Sequence, residues 1–271
     1  MKRVTPTILQ FDQLHVEIYP DQEAAGRAGA EYVGSKLQEI IADKGDANII
    51  LATGNSQLAF LRVLCSLPGI EWNKVRIFHM DEYVGISPTH PASFVRYIQE
   101  KVVDLVQPLA FFPIRGDTGD PQAVCDEYEK LLKQYPADIC CMGIGENGHL
   151  AFNEPHDADF EDPKWVRLIT LDERSRRQQV GEGHFATIDE VPKEAITLTI
   201  PALMAARHVV VQVPEARKAE AVSRALFGPI HNECPASILR TCSHARLYLD
   251  RDSGRDVLAK LEDGSITAME P

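Results

Sequence analysis

The chain has no excess of basic residues, and this absence limits the partners it can have. Its 271 residues include 28 Lys and Arg against 40 Asp and Glu, so the formal net charge is -12 at pH 7. A global basic field that would attract nucleic acid or an anionic membrane is therefore missing. We expect neither partner, and any phosphate must be bound by a local site of backbone N–H groups and one or two basic side chains.

Long apolar runs and paired-cysteine motifs are also absent. No stretch approaches the roughly 20 apolar residues of a membrane-spanning helix. The N-terminal stretch MKRVTPTILQF lacks the apolar core of a signal peptide. The six cysteines form neither a C-x-x-C pair nor zinc-ribbon spacing, which favours buried thiols in a reducing compartment. These absences together predict a cytoplasmic protein.

What the sequence does have is an alternation of short apolar runs with helical patterns. This alternation predicts a three-layer α/β fold with a mostly parallel sheet. Without an internal repeat or a clear linker, residues 1–271 are interpreted as a single domain. The predicted strands lie at 15–20, 47–52, 75–80, 137–142, 166–171, 195–200, 208–213 and 245–250. The predicted helices lie at 21–44, 92–106 and 121–135, after residue 56, after residue 213 and after residue 250.

Three polar segments follow predicted strands, at the end of a sheet where α/β proteins bind ligands. The first is LATGNSQLAF, at 51–60, where a strand passes through Thr-Gly-Asn-Ser into a helix. Hydroxyls at Thr53 and Ser56 beside a helix N-terminus suit a phosphate, although Ser56 can equally be an ordinary helix cap. The segment lacks the G-x-x-x-x-G-K pattern of a nucleotide P-loop.

The second segment is FHMDEYVGI, at 78–86, in which two adjacent carboxylates leave a strand. Asp81 and Glu82 cannot both face the same way, so one can face a cleft while the other is structural. A carboxylate in a partly desolvated cleft becomes a stronger base and can take a proton from a carbon next to a carbonyl. Taken alone, the motif is better explained by a turn at the end of a strand with two solvated acids.

The third segment is GIGENGHLAFNEP, at 143–155, which contains a G-x-G-x-x-G pattern at Gly143, Gly145 and Gly148. A dinucleotide site needs a helix after these glycines, and the early Pro155 argues against one. A metal site would use His149, Glu154, His156 and Asp159, without the usual ligand spacing. We therefore expect no cofactor and no metal. His149 can instead be a structural histidine or a proton shuttle near neutral pH.

These segments resemble the glucosamine-6-phosphate deaminase (isomerase) family, whose relatives include 6-phosphogluconolactonase. The resemblance rests on LATGNS, FHMDEYVGISPTHPASF, GIGENGHLAFNEP and the helix containing Lys218, across positions 51 to about 228. It implies a Rossmann-like fold shared with ribose-5-phosphate isomerase and CoA transferases. Where lactonases usually continue with Thr-Ala-Ser and Asp-Glu-Arg, this chain has HLAFNEP and MDEY, which are similar to the deaminase branch.

The resemblance also implies roles for individual residues. Asp81 matches the base that moves a proton between C2 and C1 of an amino-sugar phosphate, and His149 matches the residue that opens the sugar ring. Glu154 matches the acid that orients the histidine. Asn147 is grouped with these three catalytic residues. The expected substrate and phosphate site consists of Thr53, Gly54, Asn55, Ser56, Lys218 and Gly145, and Gly143 and Gly145 would supply tight backbone turns.

Two departures from the family pattern leave the exact substrate open. Asn147 stands where some deaminases carry an Asp before the Gly-His pair, and an amide can orient an imidazole but cannot place an anion beside it. A simple count puts Gln179 where the family often has a phosphate-binding arginine. Arg174, Arg176 and Arg177 are the nearby candidates to replace it.

Glucosamine 6-phosphate is the expected substrate, with galactosamine 6-phosphate or another amino-sugar phosphate as alternatives. Two other functions also remain open: hydrolysis of 6-phosphogluconolactone, with His149 activating water, and non-enzymatic sensing of a sugar phosphate. Members of the family occur as monomers and as larger assemblies, so a homo-oligomer is an expectation that the sequence leaves undecided.

Overall fold

Two sheets organise the protein, which is known from a computed structural model describing residues 5–171, 173–181, 183 and 185–269. The main sheet has eight strands in the order β1-β2-β11-β10-β7-β3-β4-β6, and the smaller sheet has three in the order β5-β9-β8. The strands are β1 (Thr7–Phe11), β2 (Leu14–Tyr19), β3 (Ala47–Leu51), β4 (Val75–His79), β5 (Asp81–Tyr83), β6 (Ala110–Phe112), β7 (Ile139–Met142), β8 (Val166–Thr170), β9 (Glu194–Leu198), β10 (His208–Val213) and β11 (Ala245–Asp250).

Helices connect most of these strands and cover both faces of the main sheet. The α-helices are α1 (Gln22–Lys44), α2 (Leu58–Ser66), α3 (Phe94–Ile98), α4 (Asp104–Val106), α5 (Pro121–Gln134), α6 (Glu173–Gly181), α7 (Ile200–Met204), α8 (Ala219–Phe227) and α9 (Arg255–Glu262). A π-helical turn at Gln99–Val103 joins α3 to α4. The helix predicted at 92–106 is therefore a continuous helical stretch from Phe94 to Val106 with a widened turn inside it, and it begins two residues later than predicted.

Alternating strand residues fill two separate cores, which confirms the three-layer α/β fold. Ile50 and Cys140 face the core that includes α5 and α8, whereas Ile49 and Cys141 face the core under α1 and α2. Successive side chains of a strand point to opposite faces, so a strand buried on both sides is apolar throughout. The continuous apolar runs of the sequence have this cause.

Local signals in the sequence set the helix boundaries. The side chain of Asp21 accepts a hydrogen bond from the N–H of Ala24 at 2.8 Å and begins α1. Gly45 ends it in the left-handed region, at φ 91°, where a residue with a Cβ would be strained. The side chain of Asp120 caps α5 in the same way as Asp21, and Pro121 follows it at the first helical position.

Four neighbouring strands of the main sheet, β10, β7, β3 and β4, end at the same edge. All pair in parallel, and the chain reverses its direction of travel across the sheet between β3 and β7. Such a reversal leaves a crevice beyond the carboxyl ends of the strands. The three polar segments singled out in the sequence follow β3, β4 and β7, and Lys218 follows β10.

The small antiparallel sheet is the main feature that the sequence did not predict. The segments predicted at 166–171 and 195–200 form strands at Val166–Thr170 and Glu194–Leu198, and Ile200 already belongs to α7. The two strands pair with each other, and Glu194–Leu198 also pairs with Asp81–Tyr83. The edge strands β1 and β6 and the helices α6 and α7 were also not predicted. Within the described part of the chain, no helix combines the length and apolar character needed to cross a membrane.

Candidate active site

One cleft at the shared edge of β10, β7, β3 and β4 brings the sequence-predicted residues together. The lining includes the TGNS loop after β3, Asp81 after β4, and His149 in the turn after β7. The predicted residues that line this cleft are Thr53, Gly54, Asn55, Ser56, Asp81, Gly143, Gly145, His149 and Lys218. Asn147 and Glu154 are buried and contact each other behind the imidazole of His149.

Asp81 is a carboxylate whose charged form is disfavoured. Asp81 is only 7% exposed, although it lines the cleft. Burial, followed by the neighbouring charge of Glu82, raises the pKa of Asp81 to about 8. A carboxylate with so high a pKa holds a proton far more strongly than one in water, which suits a base that removes a proton from carbon.

Glu82 has the structural role that adjacent carboxylates on a strand allow. One of its oxygens accepts hydrogen bonds from the hydroxyl of Ser93 at 2.7 Å and the N–H of Val95 at 2.9 Å. The other accepts from the N–H of Tyr83 at 2.9 Å. Glu82 thus fixes the start of α3 against β5, while Asp81 faces the cleft.

His149 and Glu154 lie side by side at the other wall of the cleft. Nδ1 of His149 lies 3.1 Å from Oε1 of Glu154. Burial alone would raise the pKa of Glu154, but the neighbouring imidazole of His149 and hydrogen bonds from Ser175 and Asn147 lower it to about 2. Glu154 is therefore an anion throughout the neutral range, and its carboxylate lies beside Nδ1 of the imidazole.

Asn147 and Ser175 hold the Glu154 carboxylate in place. The amide of Asn147 donates to Oε2 at 2.6 Å, and the hydroxyl of Ser175 donates to Oε1 at 2.5 Å. The Asn147 Oδ1 accepts the backbone N–H of His149 at 3.1 Å. Asn147 therefore orients the histidine through its backbone and through Glu154. Ser175, on α6, carried no signal in the sequence.

The absence of a side chain at Gly145 gives the imidazole its space. A Cβ built at this position would overlap the ring of His149. Ring and backbone are packed this closely because the N–H of Gly145 donates to the carbonyl of His149 at 2.9 Å, which closes the turn.

Gly145→Ala is expected to lower kcat by about 10- to 100-fold, because a displacement of a catalytic group by about 1 Å can cost about 100-fold. Steady-state rates and the melting temperature should be measured together. Gly119→Ala is the matched control, because a Cβ at this exposed residue meets nothing within 4 Å. Equal activity of the two variants would show that the position of the imidazole does not matter.

The TGNS loop forms the anion-binding end of the cleft. Gly54 has φ 98°, a conformation that favours glycine, and leads into a 3-10 turn at Asn55–Gln57 that continues as α2. The carbonyl of Gly54 accepts the hydroxyl of Tyr97 at 2.9 Å, which holds the loop. Backbone N–H groups at the start of a helix have no partner within it and attract anions.

Lys218 and Arg217 add positive charge to this end of the cleft. Both line it, and Lys218 is 5% exposed. Arg217 contacts Glu215 Oε2 at 2.7 Å and Glu146 Oε1 at 3.2 Å, so it links the turns that follow β10 and β7. Arg217 was not singled out in the sequence, although its place after a strand of the central four is a signal that could have found it.

Arg176 and Arg177, two of the three arginines considered for the phosphate, contact other groups. Arg176 donates to the carbonyls of Ile188 and Val191, and Arg177 pairs with Glu173 on the surface of α6. The side chain of Arg174 lies outside the described part of the structure. Gln179, the residue reached by a simple count, lines the cleft and is 8% exposed.

The glycine-rich turn lacks the surroundings of a dinucleotide site. Residues 150–158 form turns and one isolated bridge between Leu150 and Asn153, where that site would need a helix. Across the described ranges, no three His, Cys, Asp or Glu side chains are grouped so that they could hold a metal ion. The expectation of a cofactor-free reaction stays a prediction.

Comparison with known proteins shows the family of this chain. A family model described as glucosamine-6-phosphate isomerases/6-phosphogluconolactonase matches residues 20–249. A glucosamine-6-phosphate deaminase of Exiguobacterium sibiricum is 36% identical over 224 residues, covering 80% of this chain and 83% of that protein. Glucosamine-6-phosphate deaminase 2 of Bacillus subtilis is 34% identical over 223 residues, covering 79% and 87%.

Solved structures agree with this assignment. A monomeric glucosamine-6-phosphate deaminase superposes with a TM-score of 0.82 at 29% identity, covering 89% of this chain and 98% of that one. A 6-phosphogluconolactonase from Trypanosoma brucei shares the fold, with a TM-score of 0.71 at 18% identity over 94% and 99% of the two chains. The chain belongs to the glucosamine-6-phosphate isomerase/6-phosphogluconolactonase family.

Proposed function

We propose that this protein converts glucosamine 6-phosphate and water to fructose 6-phosphate and ammonia. The observation that carries the proposal is the single cleft in which a buried carboxylate of raised pKa, a histidine paired with an anion, and an anion-binding loop face one another. An aldose–ketose isomerisation needs a base for the C2 proton, a group that moves protons between sugar oxygens, and an anchor for the phosphate.

In the proposed mechanism, the TGNS loop and Lys218 bind the phosphate. His149 moves the ring-opening proton from the C1 hydroxyl to O5, which gives the open-chain aldehyde. Asp81 removes the C2 proton, and the electron pair forms a C1=C2 double bond as the C1 oxygen gains a proton. Reprotonation at C1 leaves an iminium at C2, to which water adds as ammonia leaves.

Two features favour deamination over lactone hydrolysis. The carboxylate of Asp81 is buried and has a raised pKa, as a carbon acid's base requires, whereas lactone hydrolysis needs only an activated water. The two relatives from Exiguobacterium and Bacillus are both named glucosamine-6-phosphate deaminase.

A direct assay separates these activities and tests the substrate. Ammonia release from glucosamine 6-phosphate and galactosamine 6-phosphate should be measured beside hydrolysis of 6-phosphogluconolactone at equal enzyme concentration. We expect ammonia release with glucosamine 6-phosphate as the best substrate. Faster lactone hydrolysis would contradict the proposal, and binding without turnover would favour a sensor.

Lys218→Ala is expected to raise KM by about tenfold or more while kcat changes little. The ammonium group contributes a charged hydrogen bond to the phosphate in both the ground state and the transition state. Lys133→Ala is the matched control, because Lys133 is an exposed lysine on α5 that pairs with Glu129. A KM equal to that of the control would remove Lys218 from the phosphate site.

Three broader expectations belong to the same proposal. Residues 1–271 form one domain, the protein works in the cytoplasm, and the reaction needs no metal or organic cofactor. A homo-oligomer remains an expectation alongside the monomer, and size-exclusion chromatography with light scattering would decide between them.

A further inference from the structure

Gln57 is a buried polar residue directly behind the anion-binding loop, and none of the roles above uses it. It is 1% exposed and ends the 3-10 turn that contains Ser56. Its Nε2 donates to Ser56 Oγ at 3.0 Å and to the backbone carbonyl of Gln212 at 3.4 Å. Its Oε1 is buried with no hydrogen-bond partner among the described residues. A buried amide with one unpartnered end is costly to keep for packing alone.

The carbonyl of Gln212 determines which way this amide faces. A carbonyl oxygen can only accept, so the group beside it must be the NH₂ end of Gln57. The opposite orientation would bring two oxygens together. The same NH₂ group lies against Ser56 Oγ, which must therefore act as the acceptor in this contact. Its own O–H proton remains available to donate elsewhere.

Gly143, at the end of β7, leaves room for this arrangement. A Cβ there would lie 3.3 Å from Gln57 Nε2, which is closer than ordinary packing, and 3.4 Å from Ser56 Oγ, at the near limit of ordinary contact. Ser56 lines the cleft, so the direction left for its proton includes the space where an anion would sit.

We propose that Gln57 is a positioning residue that sets the Ser56 hydroxyl as a hydrogen-bond donor to the phosphate of the substrate. This inference rests on the proposed function in taking the TGNS loop as the phosphate site. It predicts that Gln57 controls phosphate affinity through Ser56 and leaves the chemical step at Asp81 and His149 unaffected.

Gln57→Glu is the sharpest test, because it keeps the size of the side chain and removes its donor. The carboxylate would accept the Ser56 proton and withdraw it from the phosphate. We expect KM, and separately the dissociation constant of inorganic phosphate measured by calorimetry, to rise by about tenfold or more. The value of kcat should stay within about threefold of the wild type, because the lost interaction binds the phosphate equally in the ground state and in the transition state.

A double-mutant cycle with Ser56→Ala separates positioning from a structural role. If Gln57 acts through Ser56, Gln57→Glu adds no further weakening of phosphate binding in the Ser56→Ala background. The inference would be overturned if Gln57→Glu weakened phosphate binding as much in the Ser56→Ala background as in the wild type. It would also be overturned if Gln57→Glu alone left phosphate affinity unchanged. If the buried charge of Gln57→Glu prevents folding, Gln57→Met can replace it in the same cycle. The expected loss of phosphate affinity is smaller in Gln57→Met, because methionine does not accept the Ser56 proton and only leaves its direction unfixed.

Calorimetry with inorganic phosphate also keeps this inference distinct from the proposed reaction. Wild-type protein that binds phosphate but releases no ammonia would refute the proposed function and leave the Gln57 cycle measurable. Wild-type protein that turns over normally, with Gln57→Glu equal to it in KM and phosphate affinity, would refute the inference alone.

Discussion

Asp81→Asn is expected to abolish turnover and, at the same time, to raise the melting temperature of the protein. The amide cannot accept the C2 proton, so kcat should fall by about 10³-fold, within the range for removal of a general base. Substrate affinity should change little, because the phosphate is bound at the other end of the cleft. Stability should rise because the variant no longer has a buried carboxylate to ionise.

The stabilisation should depend on pH in a defined direction. The pKa of Asp81 is about 8 in the folded protein, whereas the ordinary pKa of an aspartate side chain is 3.8. Between these values the folded state retains a proton that the unfolded state has lost, so wild-type stability falls as pH rises through this window. The melting-temperature difference between Asp81→Asn and wild type should therefore be small near pH 4 and largest at about pH 8 and above.

Calorimetric melting at several pH values measures this difference, and each 1 kcal/mol should appear as a shift of about 2–4 °C for a protein of this size. Glu82→Gln is the matched comparison. The Glu82 carboxylate accepts three hydrogen bonds within 3 Å, so its replacement should lower the melting temperature. An Asp81→Asn variant that retains activity, or that is destabilised like Glu82→Gln, would contradict the role given to Asp81.

His149→Ala is expected to lower kcat by about 10²- to 10³-fold, as removal of a proton-transferring group usually does. Phosphate affinity should be unchanged, because the anion-binding loop and Lys218 do not depend on the imidazole. The truncation also leaves a ring-sized space beside Gly145. Added imidazole should enter this space and restore part of the rate.

Rescue by imidazole identifies proton transfer as the lost function. The rate of His149→Ala should rise with imidazole concentration and saturate, whereas Asp81→Asn should not respond. A variant that keeps more than a tenth of wild-type kcat would show that ring opening does not need His149. A loss of phosphate binding would instead point to collapse of the cleft.

The convergence of the site could be predicted because it follows from strand order. Asp81, His149 and Lys218 each come shortly after a mostly apolar run, and such runs form the central strands of a parallel sheet. The sequence shows the strand ends, and the chemistry of the residues there indicates their function. The resemblance to the glucosamine-6-phosphate deaminase family indicated the catalytic or binding role of each of these residues.

The supporting residues could not be predicted, because their function depends on contacts between distant segments. Ser175 reaches Glu154 from α6, 21 residues further along the chain. The small sheet, which begins at Asp81, pairs a three-residue strand with residues over 100 positions away. In the sequence, nothing distinguishes Gln57 from an ordinary polar residue at the start of a helix. Its burial and its contact with the Gln212 carbonyl exist only in the folded protein.

Exchange of the substrate's C2 proton with deuterated solvent tests the central claim most directly. Glucosamine 6-phosphate incubated with wild-type protein in D₂O should lose its C2 proton signal in the NMR spectrum as fructose 6-phosphate and ammonia appear. Asp81→Asn should bind the substrate without this exchange. Ammonia release with the C2 proton fully retained, or exchange that persists in Asp81→Asn, would contradict the account.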